Sequence, residues 1–157
     1  MEVFRIAKTR HIRDLTGEGP RLYGGRWNSR GMAVVYTAES RSLASLEYLV
    51  HVPLANEPLD LSIATISVPD DCTAEAVDID ALPKGWRCYP APEVLADIGS
   101  DWVRRGESLV LWVPSVLVPD ESNVIINPGH PEMSGVAIED VRSYAFDDRL
   151  VKRGREA

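Results

Sequence analysis

Residues 32–51 read Met32-Ala-Val-Val-Tyr-Thr-Ala-Glu-Ser-Arg-Ser-Leu-Ala-Ser-Leu-Glu-Tyr-Leu-Val-His51. The first seven residues are rich in β-branched and aromatic side chains, which predicts a strand over residues 32–38. Ser40 is a good helix N-cap, and the residues after it predict a helix over 41–51. Leu43, Leu46 and Val50 recur at spacings of three and four, so we expect them to form the apolar face of this helix.

The sequence on either side of this segment predicts more strands than helices. We expect a second helix over residues 92–105, ended by Gly106, because glycine commonly follows the last helical residue. Two stretches are predicted to be loop or irregular structure, namely residues 17–31 and 69–90. Strands are expected at residues 3–6, 61–68, 108–113, 123–126 and 141–148. Strands and helices without regular βαβ alternation predict an α+β fold, which we assign to a single domain over 1–157 with its core at about 3–149.

Composition narrows the class of protein. The chain has 157 residues, of which 45% are hydrophobic and 26% charged, as in ordinary soluble globular domains. No apolar run is long enough for a membrane span and no signal peptide is recognisable, so we expect a cytoplasmic protein. The net charge of −7 argues against direct nucleic-acid binding. Two cysteines, and three histidines without metal-ligand spacing, predict neither a disulfide framework nor a metal site.

Glu47 is the most informative polar residue. It falls beside Leu43 and Val50 on the predicted apolar side of its helix, where a carboxylate is costly unless another group meets it. One interpretation is a functional carboxylate inside a pocket. The other is an edge position at which the side chain reaches water or pairs with a nearby arginine.

A glycine-rich segment, Leu22-Tyr-Gly-Gly-Arg-Trp-Asn-Ser-Arg-Gly31, is a second candidate. Paired glycines let a backbone approach a ligand closely, and Arg26 has a planar fork that suits phosphate or carboxylate. Asn28 and Trp27 add a hydrogen-bonding group and a stacking surface. A surface hairpin uses the same residue types, and the segment is neither a Walker loop nor a dinucleotide-binding turn.

Two further polar residues follow apolar runs. Ser115 comes directly after the run that ends in Pro114, where a binding group can emerge from a sheet, although a turn-capping serine fits equally well. Ser115 lies in no G-x-S-x-G motif, which argues against a hydrolase nucleophile. Asn127 precedes Pro128 and is expected to satisfy the backbone of a turn, with a ligand role second.

Three segments taken together resemble the RES family, named for a recurring arginine, glutamate and serine. They are Gly17-Glu-Gly-Pro-Arg-Leu-Tyr-Gly-Gly-Arg-Trp-Asn28, then Val34-Val-Tyr-Thr-Ala-Glu-Ser40 through Leu46-Glu-Tyr-Leu-Val-His51, and Leu111-Trp-Val-Pro-Ser115 through Asn123-Val-Ile-Ile-Asn-Pro-Gly-His-Pro131. The order and spacing match over nearly the whole chain. The resemblance implies a mixed β-sheet of the ADP-ribosyltransferase-like type, with NAD as substrate.

The resemblance also implies site residues. Arg26 matches the family arginine, Glu47 the glutamate and Ser115 the serine, while Tyr36 matches a strand tyrosine. Arg5 stands where a further cleft arginine is expected. We therefore predict Glu47, Tyr36 and Arg26 as catalytic residues. The predicted NAD-binding residues are Arg5, Arg26, Tyr36, Glu47, Ser115 and Asn127.

The function implied by the resemblance is that of a toxin in a toxin–antitoxin pair, which cleaves the nicotinamide–ribose bond of NAD+ by hydrolysis or phosphorolysis. The expected partner is an antitoxin with an Xre-like helix-turn-helix domain that covers the active site, and a homodimer is a further expectation. One alternative is ADP-ribosylation of a specific protein. Another is a catalytically silent module that binds NAD or a partner.

Overall fold

A seven-stranded sheet organises the computed structural model, which describes residues 1–52 and 59–151. The strand order is β4-β5-β6-β2-β1-β3-β7. Strands β4 and β5 are parallel, and every other neighbouring pair is antiparallel. The strands are β1 (Glu2–Lys8), β2 (Val35–Ala38), β3 (Leu61–Ser67), β4 (Ala74–Ala76), β5 (Val110–Pro114), β6 (Ser122–Ile126) and β7 (Ala137–Tyr144).

Four helices accompany the sheet within the described residues: α1 (Glu18–Tyr23), α2 (Arg41–Leu49), α3 (Glu93–Arg105) and α4 (Asp148–Val151). Helix α2 begins as predicted, because the Ser40 side chain accepts a hydrogen bond from the Leu43 amide at 3.1 Å. Helix α3 ends where Gly106 adopts a left-handed φ of 60°. No helix in these ranges is both long enough and apolar enough to cross a membrane.

The sheet packs on both of its faces. Alternation along β1 places Val3 in the hydrophobic cluster on one face and Phe4 in a cluster on the other. The Phe4 face carries two clusters, one under α2 around Leu43 and one under α3 around Trp102. A mixed sheet with helices packed on it is an α+β fold, and the predicted class is confirmed.

Several element predictions were wrong in detail. Residues 17–31 contain helix α1. Gly17 and Gly24 lie at its two ends, each with a φ of 72°, so these glycines mark the limits of a helix instead of excluding one. Residues 69–90 contain β4 and a 3₁₀ turn at Ile79–Ala81. The closing strand ends at Tyr144 instead of continuing to residue 148.

The predicted apolar face of α2 was also wrong in part. Leu43 is fully buried, whereas Leu46 is 43% exposed and Val50 56% exposed. The helix packs on the sheet through Leu43 and Ala44, and in this orientation the side chains of Leu46 and Val50 face solvent. Glu47 lies four residues after Leu43, so it shares the inward side of the helix.

Candidate active site

Glu47 is held between two strands of the sheet. Its Oε1 atom accepts hydrogen bonds from Ser115 Oγ at 2.8 Å and from Asn123 Nδ2 at 2.6 Å. Both bonds use the same oxygen, and the residues that the structure describes give Oε2 no hydrogen bond. Glu47 is half-buried, so one carboxylate oxygen is held by the protein while the other is left for another group or for solvent.

Ser115 both caps a turn and holds Glu47. Its hydroxyl oxygen accepts hydrogen bonds from the amides of Leu117 and Val118, each at 3.1 Å. Because those amides occupy the oxygen lone pairs, the hydroxyl proton is directed to Glu47. The side chain is fully buried. The two sequence interpretations of Ser115 are thus compatible, and we call residues 115–118 the Ser115 turn.

Tyr36 extends from β2 on the sheet face that carries α2 and α3. Its hydroxyl donates to Asn28 Oδ1 at 2.8 Å and accepts the Trp27 amide at 3.0 Å. Burial raises the pKa of the phenol well above its usual value, so Tyr36 is neutral at physiological pH. A Cβ added at Gly25 would lie 2.7 Å from the Tyr36 hydroxyl oxygen, and this close approach explains a glycine at position 25.

Arg26 leaves the same loop toward Glu47. Burial lowers the pKa of its guanidinium, and electrostatic interactions with Glu47 and Tyr36 oppose that shift. Its Nη1 donates to the Trp86 carbonyl at 2.7 Å and its Nη2 to the Cys88 carbonyl at 3.2 Å. The Ser115–Glu47 hydrogen bond and the interactions of Arg26 with Glu47 and Tyr36 place these four side chains in one region, which we call the cleft.

Two predicted ligand residues lie elsewhere. Arg5 points to the sheet face opposite Phe4, donates to the backbone carbonyl of Asp14, and has its pKa lowered by burial. Asn127 follows β6 at the end away from Asn123, and its side chain accepts the Gly129 amide at 3.0 Å. The turn predicted for Asn127 is confirmed, and the structure brings neither residue to the cleft.

Asn123 was missed as a site residue. It opens the run Asn123-Val-Ile-Ile126, so an amide side chain at the start of a buried strand was the available signal. Asn28 is buried, and its Nδ2 donates to the carbonyls of Pro20 and Met32. Its Oδ1 accepts from the Tyr36 hydroxyl, so Asn28 supports Tyr36 and has no polar atom left for a ligand. Within residues 1–52 and 59–151, no group of three or more His, Cys, Asp or Glu side chains is placed to hold a metal ion.

The arrangement has the parts expected of a site that handles a substrate cation next to phosphates: a fixed carboxylate, an arginine and an aromatic ring.

The sequence profile of the RES domain family matches residues 2–147. The chain belongs to this family, and the resemblance seen in the three sequence segments is confirmed.

Its relatives carry toxin names. The chain is 41% identical over 149 residues to "Prs ADP-ribosylating toxin" of Sphingobium sp. (strain YBL2), covering 94% of this chain and 92% of the relative. It is 39% identical over 153 residues to "Toxin Res" of Yersinia enterocolitica serotype O:8, covering 96% and 99%.

Among solved structures, the fold is similar to a chain of the M. tuberculosis MbcT–MbcA toxin–antitoxin complex. The TM-score is 0.68 at 16% identity, covering 99% of this chain and 89% of that chain. At this identity the likeness concerns the fold alone, and it agrees with the single-sheet α+β architecture described above.

Proposed function

We propose that this protein is the toxin of a toxin–antitoxin pair and that it cleaves the nicotinamide–ribose bond of NAD+. The observation that carries the proposal is Glu47, whose Oε1 is fixed by Ser115 and Asn123 while Oε2 remains available beside Arg26. The toxin names of relatives at 39–41% identity support the same conclusion.

Cleavage of this bond develops positive charge. As the bond between C1′ of the ribose and the nicotinamide nitrogen breaks, its electron pair goes to nicotinamide, and the ribose becomes oxocarbenium-like. A carboxylate fixed before the substrate arrives stabilises that charge without reorganisation. Nicotinamide leaves from a cationic nitrogen, so no second carboxylate is needed as a general acid. Glu47 is thus the one negatively charged catalytic group in this proposal.

Tyr36 and Arg26 have different roles in this proposal. The Tyr36 hydroxyl is already bound on both sides and remains neutral, so the ring face, and not a phenolate, meets the nicotinamide. The Arg26 guanidinium has five N–H donors, of which two contact carbonyls of Trp86 and Cys88. The others are available for the pyrophosphate.

The acceptor of ADP-ribose is the second question. Water and phosphate give simple NAD depletion, as proposed first. A specific protein acceptor is the second candidate, because a relative that is 41% identical is named "Prs ADP-ribosylating toxin". In every case the nucleophile forms its bond to C1′ after nicotinamide departs, and water or a protein group then releases its proton to the solvent. The same Glu47, Arg26 and Tyr36 therefore serve all three reactions.

The purified protein is incubated with NAD+ and nicotinamide release is followed, first in phosphate-free buffer and then with phosphate. A third reaction adds protein extract and NAD+ labelled in the adenine half. Release without labelled protein identifies hydrolysis or, if it depends on phosphate, phosphorolysis. Label on one protein identifies ADP-ribosylation. No nicotinamide release in any of the three reactions contradicts the proposal.

Control by an antitoxin is the remaining part of the proposal. A toxin of this kind drains a coenzyme that its own cell needs, and the fold neighbour comes from a toxin–antitoxin complex. We expect a cytoplasmic partner with an Xre-like domain to occupy the cleft with an acidic group against Arg26. Co-expression restores growth and the purified complex releases no nicotinamide. A stable complex that cleaves NAD+ at the rate of the free protein refutes occlusion.

A further inference from the structure

Residues 83–90, which we call the strap, cross from one wall of the cleft to the other. At one side Arg26 donates to the carbonyls of Trp86 and Cys88. At the other side Arg87 donates from both Nε and Nη2 to the Val116 carbonyl, at 3.1 and 2.9 Å. The strap is therefore bound by Arg26 to the loop between α1 and β2, and by Arg87 to the Ser115 turn.

The Val116 carbonyl and the Leu117 amide belong to the same peptide unit, and that amide donates a hydrogen bond to the Ser115 hydroxyl. In a planar peptide, the carbonyl of residue 116 and the amide of Leu117 point in opposite directions and rotate together. Arg87 binds the carbonyl, while Ser115 Oγ accepts the amide at 3.1 Å. The orientation that Arg87 gives to this peptide thus sets the direction from which the Ser115 oxygen is approached.

We infer that Arg87 is a positioning residue for Glu47, acting through the Val116–Leu117 peptide and the Ser115 hydroxyl. With the Leu117 and Val118 amides in place, the hydroxyl proton is directed to Oε1 of Glu47. Without Arg87 the peptide rotates more freely, the hydroxyl loses its fixed direction, and the carboxylate loses one of its two supports. The catalytic consequence rests on the function proposed above.

The chemistry of the contact suits arginine. A rigid fork places two N–H groups on one carbonyl, which a lysine ammonium on a flexible stem does not reproduce. The positive charge also polarises the peptide and strengthens its N–H as a donor to Ser115. The Arg87 side chain is exposed, so truncation opens no core cavity. Its loss is thus expected to change the site more than the stability.

The test compares Arg87→Ala and Arg87→Lys with Arg104→Ala. Arg104 is a matched control, because it is exposed and bound to Asp101 on helix α3, outside the cleft. For Arg87→Ala we expect kcat for nicotinamide release to fall about 10- to 100-fold, since small displacements of catalytic groups have effects of this size. KM should change less than about twofold, because Arg26 keeps its own contacts, and Arg87→Lys should be intermediate.

Two readouts separate positioning from a general structural role. Ethylguanidinium in the assay should restore part of kcat to Arg87→Ala, because the exposed site admits a small fork donor. The melting temperature should match that of Arg104→Ala within a few degrees. Unchanged kcat in Arg87→Ala overturns the inference, and so does a fall in kcat that accompanies a large loss of melting temperature without rescue.

Amide hydrogen exchange tests the inference independently of activity. Exchange at Leu117 and Val118 should become faster in Arg87→Ala and stay unchanged in Arg104→Ala. If the wild-type protein releases no nicotinamide, the proposed function fails while this exchange result still decides the role of Arg87. Equal exchange at both amides in the wild type and Arg87→Ala overturns the inference even where NAD+ is cleaved.

Discussion

Replacing Glu47 by glutamine removes its charge and keeps its shape. The amide oxygen of glutamine can accept the same two hydrogen bonds, from Ser115 Oγ and Asn123 Nδ2. Helix α2 is therefore expected to keep its place on the sheet. What is lost is the negative charge next to Arg26, which the proposed mechanism uses in the transition state.

The expected effects on stability and on rate differ in size. A hydrogen bond to a charged group stabilises by about 1.5–3 kcal/mol and one between neutral groups by about 0.5–1.5 kcal/mol. Two bonds that change class therefore cost about 2–3 kcal/mol together, and the amide partly offsets this because it is easier to desolvate. Loss of a transition-state partner costs about 2.7–4 kcal/mol of barrier, a fall in rate of about 10²–10³-fold.

The assay follows nicotinamide release by Glu47→Gln beside Glu132→Gln. Glu132 is a matched control, because its Oε2 also accepts two hydrogen bonds, from the Thr73 amide at 2.9 Å and the Thr73 hydroxyl at 2.7 Å. We expect turnover to be lost only in Glu47→Gln, with both proteins folded by circular dichroism. A folded Glu47→Gln protein with near-normal turnover refutes the assignment of Glu47.

Substitutions at three further positions test the loop that carries Arg26 and its contact with Tyr36. Gly25→Ala puts a methyl group 2.7 Å from the Tyr36 hydroxyl oxygen, so we expect about 1–3 kcal/mol of destabilisation by urea unfolding and a clear loss of turnover; a neutral result would show that the loop yields. Tyr36→Phe leaves the Trp27 amide unpaired and should cost about 1–3 kcal/mol. Because the folded-state pKa of Tyr36 is raised, its stabilising contribution is complete below the unfolded value of about 10 and is lost above it; the free energy of unfolding of the wild type should fall above that pH and that of Tyr36→Phe should fall less. Arg26→Ala, measured by calorimetry in the inactive Glu47→Gln background, should weaken NAD+ binding by about 1.5–3 kcal/mol. Arg26→Lys should restore only part of this affinity. Unchanged affinity in Arg26→Ala would show that Arg26 does not contact the substrate.

Local sequence signals drew attention to Glu47 and Arg26, whereas Tyr36 and Ser115 entered the predicted site through the family resemblance. Ser40 caps α2 as its residue type predicts, and this fixes the phase of the helix that carries Glu47. The stripe of Leu46 and Val50 misled the interpretation, because spacing alone does not tell which of two overlapping faces meets the sheet. The inward face is decided by the small Ala44 next to Leu43, a packing result that involves strands distant in the sequence.

The remaining errors also concern long-range contacts. Strand β4 has three residues and exists because it pairs in parallel with β5, more than thirty residues later in the chain. Its own sequence, Ala74-Glu-Ala76, has little strand propensity. Asn123 reaches Glu47 across 76 positions of the chain, so no local pattern identifies the contact. Arg5 matched the family arrangement, but alternation along β1 turns it to the other face of the sheet.

Gly99 limits which residues helix α3 can carry on the side that faces the Arg26 loop. A Cβ at that position would lie 1.9 Å from the Trp27 carbonyl oxygen, and the neighbouring Ser100 hydroxyl accepts the Ser29 amide at 2.9 Å. Every larger residue at 99 must push the helix away from the loop that carries Arg26. Asp101 and Arg104 on the outer side of α3 are exposed and have room for larger side chains, whereas position 99 on the inner side has none. A substitution that looks remote from the chemistry would therefore reach it by displacing a whole helix.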